Sequence, residues 1–151
     1  MIRCLILILV IGIPAQSQGQ IDLVKVSAPK AIVKKHGPSV IIVSVEVKDG
    51  YHIQADAVED GFMIPTTLEL DGGKYFFVKR QIFPPAKKFK LNGTDHTINV
   101  YDGNFEIQTF FTVRKRKPLQ PIKGKLNYQA CDSTRCLFPR AVEFLIQVEI
   151  L

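Results

Sequence analysis

The sequence has little from which to build a metal or cofactor site. Its 151 residues hold three cysteines and three histidines. Cys4 lies in an N-terminal segment that reads as removable, which leaves Cys131 and Cys136, and His36, His52 and His96 sit on separate segments. A zinc site would have to combine both cysteines with scattered histidines, so no metal and no other cofactor is expected. His52, in an extended apolar stretch, reads as a structural histidine with its hydrogen bonds satisfied. No Gly-rich phosphate loop is present, nor a Ser/His/Asp set anchored by a nucleophile elbow. Helical periodicity is scarce, and there is no internal repeat or low-complexity linker. Beyond the N-terminal segment no apolar run is long enough to span a membrane.

What is present begins with that segment. Met1-Ile2-Arg3 carries one positive charge, residues 5–13 are apolar apart from Gly12, and Pro14, Ala15 and Ser17 supply a turn and small residues. This is the layout of a signal peptide, too short to stay in a bilayer as a permanent helix. We expect a signal peptide over residues 1–20 and one domain over 21–151. Export to the periplasm, or otherwise out of the cell, would put the remaining cysteine pair where disulfides persist. The mature form is expected not to be membrane-embedded. The formal charge of +6 becomes +5 once Arg3 is removed (6 − 1). The positive residues are scattered, with local runs at 34–35, 87–90 and 114–117. An exported chain rarely meets nucleic acid, so no such partner is expected; the charge reads as a solvated surface or as steering of an acidic partner. Asn92-Gly93-Thr94 is a glycosylation sequon, a pattern short enough to arise by chance.

After the leader, hydrophobicity alternates with period two. Residues 21–26 read as a short strand. Residues 39–47 are β-branched and too apolar for a loop, so they read as a central strand ended by the Asp49-Gly50 turn. Tyr51-His52-Ile53 resumes extended structure, and 64–70 and 75–78 are separated by Asp71-Gly72-Gly73. Residues 83–88 include Pro84 and Pro85, which lack backbone donors, so this segment reads as a stiff connection. Residues 92–97 form a polar loop. Residues 98–101 and 105–113 read as strands joined by a hairpin turn at Asp102-Gly103. Residues 124–130 and 141–150 are the last two strands, expected to form a hairpin. In the second of these Val142, Phe144, Ile146, Val148 and Ile150 share a face, and Leu145 breaks the alternation. Strands recurring every 8 to 12 residues between turn signals predict an all-β, antiparallel sandwich of the immunoglobulin-like kind.

Between the last two strands lies Tyr128-Gln129-Ala130-Cys131-Asp132-Ser133-Thr134-Arg135-Cys136-Leu137-Phe138-Pro139. A disulfide ring of about six residues stabilises a fold by only ~2 kcal/mol on the loop-entropy model, against ~4.7 for a loop of about a hundred. The ring would be a weak staple, and spacing alone leaves a redox switch and an ordinary structural disulfide both open. The hairpin would hold both thiols at one end of the sandwich rather than in its core.

The run Tyr128-Gln129-Ala130-Cys131 followed by Cys136-Leu137-Phe138-Pro139 resembles the N-terminal periplasmic domain of the DsbD thiol:disulfide interchange family. Asp49-Gly50-Tyr51-His52-Ile53, Ile64-Pro65-Thr66, Phe83-Pro84-Pro85-Ala86-Lys87-Lys88 and Tyr101-Asp102-Gly103 look like its other recurring segments. The resemblance covers nearly all of the expected mature chain. It implies an immunoglobulin-like domain whose Cys131 and Cys136 are a redox pair, with Cys136 forming the mixed disulfide. In the family, a transmembrane domain and a thioredoxin-like domain pass electrons to this one. It then reduces periplasmic partners such as disulfide isomerases and cytochrome maturation thioredoxins. A cap loop shields the pair in the family; here its place falls at 92–97, where His96 is the ring-bearing residue. The chain stops at Leu151, just after the last strand, so a free-standing, monomeric version is expected. Its partners would be thioredoxin-like periplasmic proteins and a membrane-linked thiol reductant.

Exchange needs an accessible sulfur and a thiolate. Arg135, next to Cys136, is a candidate for favouring that thiolate, and Asp132, next to Cys131, for opposing ionisation there. Tyr128, Leu137 and Phe138 are candidates for an apolar collar that docks a partner. The competing reading is a non-catalytic immunoglobulin-like binding module stabilised by a structural disulfide.

Overall fold

The protein is described by a computed structural model over residues 22–28, 30–34, 38–58, 61, 63–114 and 120–150. The expected signal peptide with Cys4, His36, and the basic residues 35 and 115–117 lie outside the described residues. Among those described, all regular structure is strand, and no helix is long and apolar enough to cross a membrane. In chain order the strands are β1 (Val24–Ser27), β2 (Ala31–Val33), β3 (Ser39–Val47), β4 (His52–Gln54), β5 (Thr67–Asp71), β6 (Phe76–Ile82) and β7 (Lys87–Lys90). They continue with β8 (Thr97–Tyr101), β9 (Asn104–Val113), β10 (Ile122–Tyr128), β11 (Ala130–Cys131), β12 (Arg140–Ile146) and β13 (Val148–Ile150).

β3 shows why the sandwich forms. Its β-branched residues suit a pleated surface, and alternation sends Ile41, Val43, Val45 and Val47 inward while Val40 and Ile42 stay exposed. Antiparallel pairing then orders one sheet as β1-β3-β9-β6, adding Ile107 and Phe111 from β9 to the same inner face. Facing it are the sheets β12-β10-β5 and β11-β4-β8-β7. They supply Leu68, Ile122, Leu126 and Ile146, and Ile53, Tyr101 and Ala130, to one continuous core. The result is an immunoglobulin-like antiparallel sandwich. One pair departs from the antiparallel expectation: β13 runs parallel to β2. β2 itself escapes a periodicity reading, since three residues are too few to show a period.

Three other expectations need correction. The strands on either side of Asp102-Gly103 are not hairpin partners. β8 pairs with β4 and β7, whereas β9 pairs with β3 and β6. Gly103, at φ 58, turns the chain from one sheet to another while its carbonyl accepts the Val47 N–H at 2.8 Å. A glycine is needed there because that conformation strains residues bearing a Cβ. Secondly, the stiff connection covers only 83–86. Pro84 and Pro85 withdraw their own donors and no others, so Lys87 and Lys88 pair with Asn99 and Val100 as part of β7. Thirdly, the last strands are interrupted. β10 and β12 do pair, from Ile122↔Ile146 to Tyr128↔Arg140, but the chain then leaves this sheet on both sides, into β11 and β13. Leu145 points to solvent, 62% exposed, between inward Phe144 and Ile146.

Candidate functional site

The sheet β11-β4-β8-β7 has two working faces. Side chains alternate along each strand and directly paired residues share a face. Ile53, Tyr101 and Ala130 therefore face the main core. The registers Cys131↔His52, Gln54↔Val100 and Phe89↔Ile98 bring the other set together on the opposite face. There Leu91, Ile98, Val100 and Cys131 form a second apolar cluster, against which Met63, Phe89 and Cys136 pack.

Cys131 and Cys136 are joined by a disulfide with a Cα–Cα distance of 3.9 Å, across an isolated antiparallel bridge. The turn between them is built by Asp132. Its Oδ1 accepts the Thr134 N–H (2.8 Å), the Thr134 hydroxyl (2.8 Å) and the Arg135 N–H (2.9 Å), while its own N–H donates to the Arg135 carbonyl at 2.9 Å. Those donors favour the anion and hold the carboxyl at about 2. Arg135 Nε lies 3.6 Å from Asp132 Oδ2, so the two charges proposed to act oppositely on the sulfurs are paired with each other.

Gln129 holds the base of the ring. Its side-chain amide donates to the Leu137 carbonyl (3.1 Å), its Oε1 accepts the Ile64 N–H (2.9 Å), and its main-chain carbonyl accepts the Gln54 N–H (3.0 Å). The 92–97 loop touches the ring through the Asn92 N–H, which donates to the Ser133 carbonyl at 3.0 Å. Within the loop the Thr94 hydroxyl donates to the Leu91 carbonyl at 3.1 Å and accepts the His96 N–H at 3.2 Å. His96 is exposed and lines a cleft with Gln54, Met63 and Ile98.

The two sulfurs are not equivalent. Cys131 is 0% exposed, buried in the second cluster and outside the main core, while Cys136 is half-buried. Pairing with β4 places Cys131 on the face of the sheet where Leu91, Ile98 and Val100 bury it. Phe138 stands 90% exposed beside the ring. Tyr128, expected in a docking collar, is instead in the main core, where burial pushes its hydroxyl up. Leu137 packs against the same core.

Two residues of β4 were not legible as site residues. Gln54 is buried, and its Nε2 lies 3.3 Å from Cys131 Sγ, 3.5 Å from Met63 Sδ and 3.7 Å from Cys136 Sγ. The signal available was the period of two that puts His52 and Gln54 on one face, but nothing local says that β11 lies alongside. His52 corrects the expectation of a satisfied histidine. Its ring is 5% exposed and lies 4.0 Å from that of Phe89, and its Nε2 has no hydrogen-bond partner. Among the described residues no three His, Cys, Asp or Glu side chains are grouped to hold a metal.

Burial pushes the His52 imidazole below 6.5, against the opposing pull of Asp102 and Asp132. Below pH 6.5 the unfolded chain takes up a proton that the native state refuses, so stability falls as pH drops until the native imidazole also titrates. Urea midpoints should therefore decline between pH 7 and 5 in the wild type and stay level across that window in His52→Phe. Asp132 acts lower: its contribution is present above 3.8 and is lost as pH falls towards about 2. Equal declines in both proteins between pH 7 and 5 would remove His52 as the cause.

The model of the family described as thiol:disulfide interchange protein DsbD, N-terminal, matches residues 20–147. No curated protein matches the chain significantly. The structure is similar to the N-terminal periplasmic domain of ScsB from Proteus mirabilis, with a TM-score of 0.55 and 15% identity, covering 82% of this chain and 45% of that one. The Neisseria meningitidis DsbD N-terminal domain in the reduced form gives a TM-score of 0.45 and 21% identity, covering 71% and 75%. This chain thus spans less than half the ScsB chain it matches. A family match that runs from β1 to β12 and through both cysteines places the chain among the N-terminal domains of the DsbD thiol:disulfide interchange family.

Proposed function

We propose that this domain, residues 21–151 after removal of an exported leader, relays electrons in the periplasm through the Cys131–Cys136 dithiol/disulfide. It accepts them from a membrane-linked thiol reductant and passes them to thioredoxin-like partners. The asymmetry of the pair carries this reading: one sulfur is sealed in an apolar cluster and the other lies half-open beside an exposed aromatic ring. An incoming donor thiolate meets Cys136 and Cys131 is the leaving sulfur; in the outgoing half, Cys136 forms the mixed disulfide with the acceptor and Cys131 resolves it. Phe138 offers an apolar contact to the partner. Export is supported by the leader-like residues 1–20 and by the ScsB relative, which is a periplasmic domain.

The competing reading is a binding module with a structural disulfide. The complete burial of Cys131 and the clamp by Gln129 favour it. The reduction potential of the pair, from equilibration against thiol buffers, separates the two. Structural disulfides of secreted proteins typically lie below about −300 mV. A relay is expected above that line, and a value well below it would replace the relay with the binding module.

A further inference from the structure

Gln54 presents donors where acceptors are poor. Its amide is buried among three sulfurs at 3.3, 3.5 and 3.7 Å, two from the disulfide and one a thioether. Such sulfurs accept hydrogen bonds weakly. A thiolate is different: a bond to a charged acceptor is roughly twice as strong as one between neutral groups. The sulfur nearest the amide, Cys131 Sγ, is also the fully buried one, where desolvation disfavours charge. The donor therefore already stands where negative charge is hardest to place.

Resting on the exchange reading above, we propose that Gln54 is a catalytic residue whose amide stabilises the thiolate formed on Cys131 when the disulfide opens. In that step a thiolate of a dithiol donor attacks Cys136 Sγ and forms a new S–S bond. The Cys131–Cys136 bond breaks, and its electron pair goes to Cys131 Sγ, facing the Gln54 amide. The donor's second thiol, as its thiolate, then attacks the donor sulfur of the mixed disulfide and releases the Cys136 thiolate. Two electrons have passed from donor to pair, leaving the donor as a disulfide; the two protons the donor thiols shed to water are balanced by two that water returns to the Cys131 and Cys136 thiolates.

The strand does not depend on this side chain. The Gln54 N–H donates to the Gln129 carbonyl, and the Gln54 carbonyl accepts the Thr66 hydroxyl at 2.5 Å. A cleft of about 350 Å³ beside Gln54 and Met63 leaves room for the amide to follow the sulfur as the pair separates. Gln54→Leu should therefore fold while losing the donor, and Gln54→Glu keeps the size while placing a carboxylate where the amide was.

The test is the rate at which dithiothreitol reduces the native disulfide, with acid quench and thiol alkylation, together with the pH profile of alkylation of the reduced proteins. Gln54→Leu is expected to slow reduction about tenfold or more and to move the Cys131 alkylation profile to higher pH. Gln54→Glu is expected to slow it at least as much, and carries the test alone should the leucine variant fail to fold. Folded variants reduced within twofold of the wild-type rate, with an unmoved pH profile, would overturn the role of Gln54 and leave the exchange reading standing. A wild-type disulfide that dithiothreitol does not open in the native state would instead overturn the exchange reading itself.

Discussion

Cys136→Ser and Cys131→Ser should both abolish disulfide exchange, yet only Cys131→Ser should accumulate a mixed disulfide with a thioredoxin-like partner. The difference comes from access. Cys131→Ser leaves a thiol at the half-buried position 136, where a partner can bond to it and no second thiol remains to resolve the adduct. Cys136→Ser leaves its thiol inside the Leu91, Ile98 and Val100 cluster, where a partner sulfur cannot approach in line and burial disfavours the thiolate. Turnover should fall to the uncatalysed background in each single variant, because a one-cysteine site cannot complete a two-electron cycle. Both should remain folded. Loss of a six-residue ring removes only ~2 kcal/mol on the loop-entropy model, and the main core does not include the disulfide. Adducts resolved on non-reducing gels and identified by mass spectrometry check the order. Accumulation with Cys136→Ser and not with Cys131→Ser would reverse the two roles. Activity in the double serine variant would remove the pair from the mechanism altogether.

Phe111→Ala should produce the largest loss of stability among single core truncations, roughly 3–5 kcal/mol. Phe111 is fully buried at the centre of the sandwich, its ring 4.9 Å from that of Phe76, on a strand paired on both sides. Truncation removes its transfer energy and leaves a cavity that a sheet with two hydrogen-bonded neighbours cannot collapse to fill. Against a typical total of about 5–15 kcal/mol this is a large fraction. Urea unfolding should show a lower midpoint with an unchanged slope. Leu145→Ala, on an exposed position of β12, is the control and should stay within about 0.5 kcal/mol. A Phe111→Ala cost below about 1 kcal/mol would show that the inner face of β9 is assigned wrongly. The Cys131–Cys136 disulfide should keep its reduction potential in this variant, since Phe111 belongs to the sheet across the core from the cysteine-bearing one.

The architecture and the pairing of Cys131 with Cys136 could be read from the chain alone. Alternation in residues 39–47 set which side of β3 would be buried, because period two is a property of the extended chain and needs no knowledge of neighbours. The cysteine spacing and its flanks were likewise local, and their resemblance to the DsbD family agrees with the family match over residues 20–147. What the tertiary structure decided was pairing. Period two on either side of Asp102-Gly103 is the same whether the two strands face each other or lie in different sheets, and here they lie in different sheets. The same blindness hid the site. Gln54 lies 77 residues before Cys131 and 82 before Cys136, with His52 two residues earlier still, and neither carries a mark of chemistry in sequence. They become neighbours of the disulfide only because β4 is the strand that pairs with β11. The asymmetry of the sulfurs is tertiary too, since Cys131 is buried by Leu91, Ile98 and Val100, none of them near it in the chain, while Cys136 stays half-buried.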